Sequence, residues 1–128
     1  MRISPSNIQK LKPNEIIVFG SNSKGFHYGG LARICHEKFG AMWGKAEGMQ
    51  GQCYAIDTMN GLYSINEQVQ YFIYFAKSNK SLKFLVTLIG TGIAKYKVED
   101  IAPMFKSALN TRNIYLPKEF YNHLTQNP

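Results

Sequence analysis

The sequence predicts an α/β fold of three layers, in which helices cover both sides of a mixed but mostly parallel sheet. Three observations predict it. Short uninterrupted apolar runs, IIVF at 16–19, CYAI at 53–56 and FLVTL at 84–88, have the composition of strands buried on both faces. Segments with apolar residues at helical spacing alternate with these runs, giving strand, helix, strand, helix along the whole chain. Glycine-rich loops follow the first and third runs, and in parallel sheets ligands bind at the carboxyl ends of strands.

Taken in order, the first strand is preceded by Pro13 and Asn14 and ended by Gly20, and GSNSKGFHYGG at 20–30 is a loop. Leu31, Ile34, Cys35 and Phe39 recur at helical spacing from Gly30, and Gly40 stands where a helix end needs a left-handed residue. Residues 41–51 have no regular pattern, and 57–63 read as loop after the second strand. SINE at 64–67 has the form of a capping box, so a helix is expected to start there, with Ile65, Val69, Phe72, Ile73 and Ala76 on one face. The third strand is followed by IGTGIAKY at 89–96, and then by a helical pattern of Val98, Ile101, Phe105, Ala108 and Leu109. Pro103 inside that pattern either kinks the helix or opens its main segment. Ile114, Tyr115 and Leu116 form a last strand, and a short helix follows Pro117.

The 128 residues, 45% hydrophobic and 18% charged, suit one globular domain spanning 1–128 and exclude a disordered chain. No proline falls between Pro13 and Pro103, so no linker divides the middle. No stretch approaches the roughly 20 apolar residues of a membrane span, and MRISPSNIQK lacks a signal core. A cytoplasmic location with no membrane partner is therefore expected. Cys35 and Cys53 are expected to be reduced and buried, with no metal site and no cofactor. A formal charge of +7 favours an anionic partner, whether nucleotide, nucleic acid or membrane surface.

The glycines narrow this choice. Nine of the eleven fall between Gly20 and Gly61, and the others are Gly90 and Gly92. In the first loop, Phe19, Gly20, Ser21 and Asn22 are followed by Gly25 and by Gly29 and Gly30 at the helix start, where backbone amides and the helix dipole suit a phosphate or ribose. The alternative is that these glycines serve turns and helix packing alone. The spacing matches neither a Walker loop nor the GxGxxG fingerprint. In the second loop, Gly90, Thr91, Gly92, Ile93, Ala94 and Tyr96 offer amides, a hydroxyl and a stacking ring. Side by side, the two loops can hold a diphosphate.

VFGSN with the downstream GGLAR resembles the first ligand loop of macrodomains, and LIGTGIAKY resembles the second, the likeness running over about residues 14–116 with GQCYAIDT as the middle strand. Macrodomains bind ADP-ribose and its derivatives, and some hydrolyse ADP-ribosyl linkages. The resemblance implies Asn22 at the distal ribose, Gly29 and Gly30 in the first loop, and Gly90, Thr91, Gly92 and Ile93 around the diphosphate. It is closest to the branch that removes ADP-ribose from carboxylates or nucleic-acid bases. That branch uses a lysine after the middle strand and an acid in the second loop, where this chain has Met59 and Ala94. A thioether and a methyl group neither form the amine adduct nor shuttle protons. The early strand with an adenine-binding aspartate has no counterpart in the first thirteen residues, so the resemblance is to an atypical macrodomain.

Two residues remain as candidate catalysts. His27 is either a base near the ribose or a solvated loop histidine, and Asp57 either activates water or caps the following turn. Lys24 and Lys95 either pair with phosphates or are solvated. Three functional readings follow: a binder of ADP-ribose or a related nucleotide, an ADP-ribosyl hydrolase of variant mechanism acting on modified protein or nucleic acid, and a basic nucleic-acid-binding protein. The last would use Arg2, Lys10, Lys12, Lys77, Lys80, Lys83, Lys95 and Lys97. Tyr71, Phe72, Tyr74 and Phe75 are spaced for packing in and beside the core.

Overall fold

The computed structural model describes residues 1–126. Five strands form one mixed sheet: β1 (Glu15–Ser21), β2 (Gly48–Gln50), β3 (Cys53–Asp57), β4 (Lys83–Val86) and β5 (Ile114–Tyr115), in the order β2-β3-β1-β4-β5. All neighbouring pairs are parallel except β2 with β3. Four α-helices, α1 (Gly30–Lys38), α2 (Gly61–Lys77), α3 (Val98–Ile101) and α4 (Lys118–Gln126), and a 3₁₀ helix (Ala102–Asn110) cover it.

Strand alternation sorts the core into two layers. From β1, Ile16 and Val18 point to the side of α2, α3, the 3₁₀ helix and α4, where they join Tyr54, Phe72, Phe84, Phe105 and Phe120. Ile17 and Phe19 point to the opposite side and pack with Cys35 of α1, Ala41, Cys53 and Ala55. The layers are unequal: among the described helices only α1 packs on this side, joined by Phe39, Ala41 and the amino-terminal Ile8 and Leu11. Aromatic pairs, including Phe72 edge-on to Phe84 at 5.3 Å and Phe105 stacked on Phe120 at 5.6 Å, fill the thicker layer.

Several expected boundaries move. Strand β4 stops at Val86; the Thr87 amide makes the last bond to β1, at 3.2 Å on the Val18 carbonyl, which the Thr87 hydroxyl shares at 2.7 Å, and Leu88 is exposed. Helix α2 starts at Gly61, not Ser64, and no capping box forms. The Asp57 carboxylate accepts the Met59 amide at 2.9 Å and the Asn60 side chain at 2.8 Å, turning the chain immediately after β3. Ser64 lies inside the helix, where its hydroxyl accepts from Gln68. The irregular stretch before β3 contains the short edge strand β2. Pro103 stands in the first turn of the 3₁₀ helix, so the pattern from Val98 is a short α-turn followed by a tighter helix. Ile34 is exposed. So are Tyr71 and Tyr74, while Phe72 is buried. Among the described residues, no helix is long and apolar enough to cross a membrane.

Candidate functional site

Because β1, β3 and β4 run parallel, their carboxyl ends meet at one edge of the sheet. From β1 the chain passes through α1 on the thin side to β3, then returns through α2 on the thick side to β4. The reversal opens a crevice beyond β1 and β4, the place where open α/β sheets hold ligands. A cavity of about 420 Å³ lies there. Both glycine loops line it, with Thr58 and Met59 after β3 completing the rim.

The first loop is braced by its own side chains. Asn22 accepts the Phe26 amide at 3.0 Å and donates to the Phe26 carbonyl at 2.8 Å, while its carbonyl receives the Gly25 amide at 2.9 Å. Gly25 has φ of +67°, and a Cβ there would stand 2.5 Å from the Lys45 amide nitrogen, so only glycine fits. The Gly44 amide bonds the Gly25 carbonyl at 2.9 Å, and the Ser21 hydroxyl donates to the Ala46 carbonyl. The loop ends at Gly29, which precedes α1 without a side-chain cap, leaving the first-turn amides of α1 facing the crevice end of the sheet.

His27 sits beneath this loop and is buried, so it is not the solvated residue expected. Its Nε2 donates to the Met42 carbonyl at 2.8 Å, which leaves Nδ1 a buried lone pair without a partner among the described residues. The ring packs edge-on to Phe19 at 5.4 Å. Neither His27 nor Phe19 lines the cavity; Phe19 is wholly in the thin-side core. Asp57 is also buried and off the cavity wall, with both carboxylate oxygens engaged in the turn that starts α2.

The second loop is held by backbone turns. The Tyr96 amide bonds the Gly90 carbonyl and the Lys95 amide bonds the Gly92 carbonyl, both at 2.9 Å, and Lys95 adopts φ of +63°. Thr91 turns its hydroxyl to the Leu88 carbonyl at 2.8 Å and does not line the cavity. Tyr96 packs against the core beside Gly90 instead of offering a free face. Gly90, Gly92, Ile93 and Ala94 do line it, and Ile93 is 85% exposed.

Of the residues expected to bind ligand, the structure thus gathers Gly20, Ser21, Asn22, Gly29, Gly30, Gly90, Gly92, Ile93 and Ala94 around one cavity and leaves out Phe19, Thr91 and Tyr96. It adds Phe26, Tyr28, Thr58 and Thr87. Phe26 and Tyr28 lie within the glycine loop, where aromatic residues beside so many glycines were the available signal. Thr87 became part of the wall by leaving its strand. No described residue on the lining carries a charge at neutral pH. An anion there meets backbone amides and the amino end of α1, not a side-chain cation. Lys24 and Lys95 stand outside it.

A second cavity of about 500 Å³ lies alongside and shares Leu31, Thr87 and Leu88 with the first. Ser4, Ser6, Asn7, Asn122 and the charged pair Lys118 and Glu119 are among its polar lining. It is assembled from both ends of the chain, so no local motif announces it. Cys35 and Cys53 are free thiols in the thin-side core, where hydrogen bonding to Cys53 and burial push the Cys35 thiol up. No protein-family model, curated protein or solved structure matches this chain.

Proposed function

We propose that the protein is a macrodomain-like module that binds ADP-ribose or a related nucleotide in the crevice between its two glycine loops. One observation carries this reading: two loops nearly seventy residues apart in sequence converge on a single cavity at the carboxyl ends of β1 and β4. Its volume falls in the range of roughly 300–1,000 Å³ usual for small-molecule sites. The diphosphate is read as lying over the amino end of α1 and the turn at Gly90 and Gly92, with amides as donors. Asn22 keeps one amide proton and one lone pair beyond those bound to Phe26, enough to engage a ribose hydroxyl.

The reading is of binding without lysine and acid chemistry. Met59 and Ala94 both line the cavity at the places where the resemblance asks for an amine and a carboxylate. Asp57 is committed to its turn, and His27 is held under the loop. Calorimetric titration with ADP-ribose tests the proposal. Saturable one-to-one binding, weakened at least tenfold by Gly92→Val in the loop, is the expected result. Absence of heat at millimolar ligand overturns it.

A further inference from the structure

Beside the cavity, Phe26, Tyr28 and Trp43 form an aromatic shelf. Phe26 and Trp43 are stacked, with ring centres 5.2 Å apart and planes 15° from parallel, and Tyr28 meets Trp43 edge-on at 5.0 Å. Such a group ordinarily belongs in a core. Here Tyr28 is 70% exposed, Trp43 is 47% exposed and the neighbouring Met42 is exposed as well.

The shelf is built rather than loosely draped. His27 and His36 both donate from their rings to the backbone of residues 41–42, Nε2 of His27 to the Met42 carbonyl at 2.8 Å and Nδ1 of His36 to the Ala41 carbonyl at 2.7 Å. Both rings also pack against Trp43, at 6.2 and 5.6 Å. From the other side, the backbones of Gly25 and Gly44 are joined directly. Burying a histidine with an unpartnered Nδ1 is costly, by the general rule for unsatisfied groups. That this cost is accepted directly under exposed aromatics points to a surface held in place for contact.

Charge identifies the class of partner. Between Glu15 and Glu47 the only acid is Glu37, and Arg33 holds it at 2.8 Å. Lys24, Lys38 and Lys45 lie in the same stretch of sequence; the Lys24 ammonium stands 6.0 Å from the Phe26 ring centre, and the Lys45 ammonium donates to the Met49 carbonyl at 2.6 Å. Flat exposed rings edged by cations are how proteins hold single strands: each base stacks on a ring while the phosphates meet lysines. A duplex hides its base faces and offers nothing to such a shelf.

We propose that this shelf is a stacking site for the bases of single-stranded nucleic acid. It goes beyond the nucleotide reading, yet adjoins it, because Phe26 and Tyr28 belong both to the shelf and to the cavity wall. A strand stacked on Trp43 is therefore led toward the crevice.

Trp43 is the sole tryptophan, so tryptophan fluorescence, excited where the eight tyrosines do not absorb, reports on this site alone. The test titrates the protein, at low salt, with oligothymidylate of about twelve nucleotides and with an abasic deoxyribose-phosphate oligomer of equal length. Saturable quenching by the thymidylate, with the abasic oligomer at least tenfold weaker, is the expected result. Anisotropy of a labelled thymidylate is expected to show about tenfold loss for Trp43→Ala and affinity within about threefold for Trp43→Phe, which keeps a stacking face. Equal affinity for both oligomers, or no binding of either, overturns the proposal. So does a fluorescence shift that depends on protein concentration alone, which would mark the shelf as a contact between two copies. Trp43 lies outside the cavity lining, so ADP-ribose titration of Trp43→Ala is expected to match the parent protein within about twofold. Quenching by thymidylate without any ADP-ribose binding would remove the nucleotide reading and leave the shelf standing.

Discussion

The two glycine loops meet at one cavity but are built on opposite plans. The loop after β1 is clasped by Asn22, closed against a second loop through Gly25 and Gly44, and underpinned by His27. The loop after β4 has backbone turns, one left-handed lysine and an Ile93 that projects almost wholly into solvent. One glycine of each loop marks the difference, although Gly29 and Gly30 of the first loop are open and Gly90 of the second, at φ of +77°, is closed by Ile101 at 3.1 Å. A side chain on Gly25 collides with backbone, whereas one on Gly92 meets nothing within 4 Å. The first loop is therefore the more heavily braced of the two by side chains. The same residue type serves close packing at Gly25 and clearance at Gly92.

The contrast is broken most severely at Gly25. Gly25→Ala places a methyl group against the Lys45 backbone at a left-handed position, and is expected to cost about 3 kcal/mol in denaturant unfolding. A destabilisation below about 1 kcal/mol would show that the first loop is not rigid. A control lies outside both loops. Burial pushes the Tyr54 hydroxyl up to about 12, with smaller contributions from Tyr71 and Glu47. Its folded-state pKa is raised, so the stabilisation is complete below pH 10 and is lost as pH climbs toward 12. On the order of 2 kcal/mol should vanish across that window, and Tyr54→Phe should flatten the slope while the ligand response of both loops stays unchanged.

Asn22→Ala removes both side-chain bonds to Phe26 and is expected to lower stability by about 1–2 kcal/mol. The same variant should raise hydrogen exchange at the Phe26 amide; protection equal to the parent's would mean the clasp is dispensable. Gly92→Ala should have the smallest effect, within about 0.5 kcal/mol in thermal unfolding. A larger loss there would mean that the second loop is as constrained as the first.

Where a short-range pattern decided the outcome, the sequence was informative. The uninterrupted apolar run Ile16, Ile17, Val18 and Phe19 marked a strand buried on both faces, and Gly40 marked the end of α1. Helix α2 shows the limit. Ser64 and Glu67 had the right spacing for a cap, but the Asp57 turn had already started the helix, a competition that spacing alone does not reveal. At the cavity, glycines at strand ends were legible because topology brings parallel strand ends together. The roles of Phe19, Thr91 and Tyr96 were not, because they depend on which way each side chain turns. His27 gave no sign of burial, since its partner Met42 lies fifteen residues away in an irregular segment.

The lining without charged side chains has a kinetic consequence. With a net +7 carried entirely outside the cavity wall, the field of the protein acts on an anion during its approach and makes no ion pair with it once seated. Association of a nucleotide should slow as salt is added, because screening shortens the reach of that field. On the proposed reading, in which backbone amides hold the nucleotide, dissociation should barely respond. Salt would then change how often the cavity is visited, while the residence time of each visitor stays the same.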